Sequence, residues 1–137
     1  MAEILKLTIL SPERRLLQEC EVEFVTLPGS EGQIQVLPGH AAMVGTLHTG
    51  VFEYQPRGEA ALSGVISTGF FEVMGEGVAV MAETIELREE IDLSRAKSAQ
   101  AKAEAELQNP DLDEHKFRKY ELKLQRALIR QQLATRA

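Results

Sequence analysis

Apolar and polar residues alternate with a period of two through residues 1–86, and the spacing then changes to that of a helix. Leu5, Leu7 and Ile9 alternate with Lys6 and Thr8, and Ser11-Pro12 ends that run. Cys20, Val22 and Phe24 alternate with Glu21 and Glu23, which predicts a strand with one face inward and one in solvent. Residues 43–47 and 51–55 flank Gly50, and Pro56-Arg57-Gly58-Glu59 reads as a hairpin turn. Three further strand-like runs, 60–67, 70–74 and 78–84, are split by Thr68-Gly69 and by Gly75-Glu76-Gly77. Many short strands at close spacing predict a compact sandwich or flattened barrel.

After residue 86 the grammar is helical. Asp92 is placed to cap a helix whose residues 93–108 are dense in Ala, Lys, Glu and Gln, all good helix formers. Asn109-Pro110-Asp111 breaks it, and Asp111 or Asp113 can cap a second helix running to about Ala134. Glu114 early, and Arg130 and Arg136 late, complement the helix dipole. So short a connection makes the two helices an antiparallel hairpin. Ala96, Ala99 and Ala103 recur on one face, and Phe117, Tyr120, Leu124 and Ala127 on the other helix. A buried Leu contributes roughly 1.5–3 kcal/mol and an Ala much less, so an Ala face holds its partner weakly. Leu122, Ile129 and Leu133 lie off the main stripe, more apolar surface than one Ala-rich helix covers. Two readings stand: a hairpin that opens or docks elsewhere, and one that is permanently packed. The expected fold class is α+β, with a β domain over 1–86 and a helical hairpin over 87–137.

Composition narrows the function. A 137-residue chain with 44% hydrophobic and 26% charged residues is globular rather than disordered. A net charge of -6 argues against binding nucleic-acid phosphates. No apolar run approaches the roughly 18 residues needed to span a bilayer, and Met1-Ala2-Glu3-Ile4 carries no basic, apolar secretion signal. Cys20 is the single cysteine, so no internal disulfide forms; mid-strand, it reads as a core thiol. There is no phosphate-binding Gly-x-x-x-x-Gly-Lys-Ser/Thr loop, His40, His48 and His115 are isolated, and Ser30 lacks the setting of a hydrolase nucleophile. Neither an enzyme nor a metal site has a constellation to stand on.

The densest stretch of turn formers is Gly29-Ser30-Glu31-Gly32-Gln33-Ile34-Gln35-Val36-Leu37-Pro38-Gly39-His40, which reads as turn, short strand, turn. Gly29-Ser30-Glu31-Gly32, Leu37-Pro38-Gly39-His40-Ala41, Gly69-Phe70-Phe71-Glu72-Val73 and Ile91-Asp92-Leu93-Ser94-Arg95-Ala96 occur in this order. With the β-then-hairpin layout, the chain resembles the epsilon subunits of F-type ATP synthases over essentially its full length. The resemblance implies a ten-stranded β-sandwich followed by a two-helix hairpin. It also implies a non-catalytic central-stalk subunit that binds gamma, rests on the ring of c subunits, couples ion flow to rotation and restrains ATP hydrolysis. The location implied is the cytoplasmic face of a bacterial inner membrane, held peripherally through the complex.

Further implications attach to single residues. The loop from Glu31 through Gln33, Pro38 and Gly39 to His40 is where the family meets the c-ring loops, with His40 near gamma. Gln33 puts a charged contact beside Gly32 in doubt, while Glu31 remains a carboxylate for a basic c-ring loop; otherwise Glu31 is a solvated turn residue. Some relatives bind ATP through a Leu/Ile-Asp-x-x-Arg-Ala motif, which residues 91–96 match, so Asp92, Arg95 and Ala96 are candidate ATP residues. Arg95 and Lys102 are seven apart, and Arg126 and Arg130 four apart, so each pair shares a helix face and a folded hairpin could converge four cations on a triphosphate. Glu86 lies where relatives supply a further polar contact. Relatives carry Arg where Lys102 sits, and Lys lacks the guanidinium fork. Otherwise Asp92 is only a cap and the arginines a solvated face. No cofactor is required, and ATP enters as a regulatory ligand. In an extended hairpin, Arg118, Lys119, Lys123 and Arg126 would meet acidic surfaces of the alpha/beta hexamer. The competing expectations are a free-standing cytosolic ATP sensor and a β-sandwich adaptor with a helical docking arm.

Overall fold

A computed structural model describes residues 3–136. Met1, Ala2 and Ala137, which the expected domain ranges and the N-terminal reading include, lie outside the described residues. The elements in chain order are β1 (Lys6–Leu10), β2 (Arg15–Gly29), β3 (Gly32–Val36), β4 (Met43–Leu47), β5 (Gly50–Pro56), β6 (Leu62–Met74) and β7 (Gly77–Leu87). A single 3-10 turn, Arg88–Glu90, then leads to α1 (Leu93–Leu107) and α2 (Glu114–Ala134).

Three strands are long, and each changes neighbours along its length. The first part of β2 pairs antiparallel with β1, and its later part with β5 and β3. β6 pairs first with β5 and then with β4. β7 pairs with β6 along its length, and its first residues also lie parallel to β1. One layer therefore runs β3–β2–β5–β6–β7 and the other β2–β1–β7–β6–β4. Counted as layer segments, seven strands make the ten of the expected sandwich. Thr68-Gly69, expected to separate two strands, is a kink inside β6. Ser67 pairs with Thr84 and Gly69 with Ala82, while Thr68 between them turns to φ +44°. For a β-branched residue this is an outlier costing on the order of 1–2 kcal/mol.

Alternation predicts the inward face of β2 only in part. The pairing shifts by one residue between Val22 and Phe24. Val22, Val25 and Leu27 are consequently buried, and Phe24 is half-buried. Cys20 packs partly buried against the core. Burial, then the carboxylates of Glu59 and Glu21, push its thiol pKa upward, which keeps it protonated and unreactive.

The core between the layers is built from Leu7, Ile9, Val25, Leu27, Phe52, Ile66, Phe71, Val78 and their neighbours, and takes no residue from either helix. Asp92 caps α1 by accepting from the Arg95 N–H at 3.1 Å, and of the two candidates for α2 Asp113 is the cap, accepting from the Lys116 N–H at 2.8 Å. Hairpin burial falls on Ala96, Ala103, Ala127 and Leu133. Phe117, expected on the buried stripe, is exposed instead. It lies in the first turn of α2, at the loop end of the hairpin, whereas Leu133, read as off-stripe, is buried in the last turn.

Candidate functional site

Three places on the molecule gather chemistry. The first is the seat of the hairpin on the sandwich. Glu83 and Glu86 lie near the end of β7, and Arg126 and Arg130 are one turn apart on α2. The Arg130 Nε–H donates to Glu86 Oε1 at 2.8 Å. Arg126 donates from Nε to Ser67 Oγ at 2.7 Å and pairs with Glu83 Oε2 at 3.1 Å. The Thr68 hydroxyl donates to the same Glu83 oxygen at 2.7 Å. That hydrogen bond first, and the Arg126 charge second, hold the Glu83 carboxyl below its ordinary range, so it is ionised at neutral pH. Partly exposed ion pairs contribute about 0.2–1 kcal/mol each, and a neutral hydrogen bond about 0.5–1.5 kcal/mol. These polar contacts, rather than core packing, are where α2 meets the sandwich at Arg126 and Arg130.

Beside the seat, Glu86, Asp92, Arg95, Ala96 and Arg130 line a cleft of about 180 Å³. Lys102, Tyr120, Lys123, Arg126 and Arg130 line a second of about 290 Å³, adjoining the first at Ala99 and Arg130. Every residue singled out for ATP thus lies on one or both clefts, together with Lys123. The donor set suits a polyphosphate in part: Arg95 and Lys102 are exposed, whereas Arg130 already spends its Nε on Glu86. Arg126 has a different occupation, since its Nε and one terminal nitrogen are engaged by the sandwich.

The second place is the turn-rich loop. Ser30 and Glu31 form the tight turn between β2 and β3, with Gly29 paired to Gly32, and Glu31 and Gln33 project exposed. After β3 the His40 N–H donates to the Leu37 carbonyl at 3.1 Å, closing a turn with Pro38 and Gly39 at its centre. Gly39 takes φ +83°, as that turn demands. The His40 ring Nδ1 lies 2.7 Å from the Ala41 carbonyl. Gly29, Glu31, Gln33, Met43, Val44 and Phe71 contribute to a groove of about 540 Å³ between this loop and β4.

A third place lay outside the sequence reading. Val44 stands opposite Glu72, which stands opposite Ala79, and Thr46 opposite Phe70, opposite Met81. These residues share the outward face of one layer. On it Val44 is 73% exposed, Met74 66%, Phe70 53% and Met81 40%, an exposed apolar stripe around Glu72. The signal was Phe70-Phe71 and Val73-Met74, apolar residues at both parities of one strand. Glu83, Ser67 and Thr68 were also missed, because an acidic residue alternating in a strand looks like a solvated position.

Arg118, Lys119 and Lys123 are exposed on α2, with the Lys119 and Lys123 ammonium groups each 5.6 Å from the Tyr120 ring centroid. Arg118 pairs with Glu114 at 2.7 Å. Among the described residues no helix is long and apolar enough to cross a membrane, and no cluster of three or more His, Cys, Asp or Glu is placed to hold a metal.

Comparison with known proteins accounts for the whole chain. Residues 4–88 match the family model of the ATP synthase delta/epsilon chain β-sandwich domain, and residues 89–135 that of its long α-helix domain. An ATP synthase epsilon chain of Citrifermentans bemidjiense is 42% identical over 137 residues, covering 100% of this chain and 98% of the relative. A chain in the Euglena gracilis mitochondrial ATP synthase (OSCP/F1/c-ring) superposes with a TM-score of 0.81 at 28% identity, covering 94% of this chain and 80% of that one. A chain in the Tetrahymena thermophila mitochondrial ATP synthase central stalk and c-ring shares the fold alone, with a TM-score of 0.57 at 14% identity. This chain belongs to the epsilon-chain family of F-type ATP synthases, the non-catalytic subunits of the central stalk.

Proposed function

We propose that the sandwich of this chain is the coupling part of a rotor and its helical hairpin a movable restraint on ATP hydrolysis. The observation that carries the reading is that the sandwich core is complete without the helices. What joins the two includes the Arg126–Glu83 and Arg130–Glu86 pairs and the Arg126–Ser67 hydrogen bond, a polar seat that can be left and regained. On leaving it, α2 would offer Arg118, Lys119 and Lys123 to acidic surfaces of the alpha/beta hexamer.

The gamma subunit is the occupant proposed for the stripe of Val44, Phe70, Met74 and Met81, and for His40 in the turn after β3. Glu31, Gln33, Pro38 and Gly39 would meet the polar loops of the c-ring, placing the chain peripherally at the cytoplasmic face of a bacterial inner membrane. The test is co-purification. Tagged chain added to membranes should recover gamma and the rotary complex. Phe70→Glu should reduce recovery at least about tenfold, as expected for a central aromatic contact worth about 2 kcal/mol, with an unchanged melting temperature. Undiminished recovery would remove gamma from that face, and no recovery with the parent chain would favour a free-standing protein.

ATP is proposed as the ligand of the two adjoining clefts, one between the hairpin and the end of β7 and one between the two helices. Arg95, Lys102 and Arg130 would take phosphate oxygens, while Asp92 and Glu86 would accept from adenine or ribose donors. Calorimetric titration of the full chain should give saturable binding at or below millimolar ATP, weakened at least about tenfold by Arg95→Ala, the loss expected for a charge-assisted contact. Equal heats for both proteins would leave Asp92 as a helix cap and nothing more.

A further inference from the structure

Arg126 crosses from α2 into a receptor made entirely by the sandwich. Its side chain is 14% exposed, far below that of Glu83 at 61%. Ser67, fully buried, accepts from its Nε at 2.7 Å and shares a second hydrogen bond with the Thr49 hydroxyl at 2.7 Å. Thr68, turned out of the strand at φ +44°, points its hydroxyl to Glu83 and so aims that carboxylate at the guanidinium. A largely buried guanidinium needs acceptors and a counter-charge, and here two strands supply both.

We propose that Ser67, Thr68 and Glu83 form an internal guanidinium receptor that holds the hairpin folded without nucleotide. The Glu83 carboxylate takes the place on Arg126 that a phosphate oxygen would otherwise take. This rests on the reading of the hairpin as the regulatory part. Arg126 is then a docking residue, and ATP acts through Arg95, Lys102 and Arg130 on a hairpin that is already down. A ligand shifts an equilibrium only by its differential affinity. ATP bound across the folded hairpin favours that state, but a hairpin already held down has little population left to gain, and a partner that competes for Arg126 changes it more.

Hydrogen exchange of the full chain tests this. In the parent protein the amides of α2 should already be protected without nucleotide, and millimolar ATP should slow their exchange further only by the linkage factor 1 + [ATP]/Kd. Glu83→Ala and Arg126→Ala should each speed their exchange at least about tenfold while the strands stay protected, and the double variant should be no faster than Arg126→Ala, as for two members of one contact. Glu83→Gln, which keeps the shape and removes the charge, should fall between. Fast exchange in the parent chain until ATP is added would overturn the receptor and leave the ATP-sensing restraint intact. Unchanged exchange in Glu83→Ala would overturn it as well. If Glu83→Ala releases α2 but ATP hydrolysis by the assembled complex stays the same, the receptor stands and the restraint reading fails.

Discussion

Gly69→Ala should cost about 3 kcal/mol or more, enough to lower the melting temperature by roughly 10 °C. A Cβ on Gly69 would lie 1.9 Å from the Met81 carbonyl oxygen and 2.8 Å from the Ala82 Cα. Both are backbone atoms of the paired strand, so no rotamer change relieves the clash, and β6 must separate from β7. Gly69 also follows Thr68, so the same strain would move the hydroxyl that aims Glu83 at Arg126. Thermal unfolding followed by circular dichroism reads the effect. A melting temperature within about 2 °C of the parent would mean that the strands part more easily there than this packing allows.

A chain ended after Glu90 is the second large change. It removes both helices, yet the sandwich core loses none of its members. The Arg14–Glu90 pair, 2.9 Å between Nη1 and Oε1, and the Leu87 N–H donation to Glu90 at 2.8 Å still close the end of β7. The shortened chain should therefore fold, melt cooperatively within about 5 °C of the full chain, as expected when the sandwich core is kept whole, and still be recovered with gamma. Aggregation, or loss of cooperative melting, would show that the hairpin is part of the folding unit.

Much of this architecture was legible in the sequence because its signals are local. Asp92 and Asp113 cap the helices, Asn109-Pro110 ends the first, and the Leu37–His40 turn needs a glycine at its third position. Local rules failed where a strand changed neighbours. Nothing in Cys20-Glu21-Val22-Glu23-Phe24 announces the shift that half-exposes Phe24, and Thr68-Gly69 looked like a break because a positive φ at threonine has no pattern of its own. The candidate site was legible on the helices, where spacing alone brought Arg126 and Arg130 to one face. Its other half was hidden, since Glu83 and Ser67 gain their role only from a contact across 59 residues of chain between Ser67 and Arg126. Phe117 misled for a related reason. Helical periodicity gives a stripe on α2 but not which of its members are covered, and Phe117, in the first turn beside the loop, is not.

The central claim is that the hairpin restrains hydrolysis from outside the sandwich core. Its most direct measurement is the steady-state rate of ATP hydrolysis by the rotary complex assembled with the full chain and with the chain ended after Glu90, at equal occupancy. A several-fold faster rate with the shortened chain and unchanged recovery of the complex are expected. Equal rates at equal occupancy would contradict it, leaving the two helices as a permanent part of the stalk.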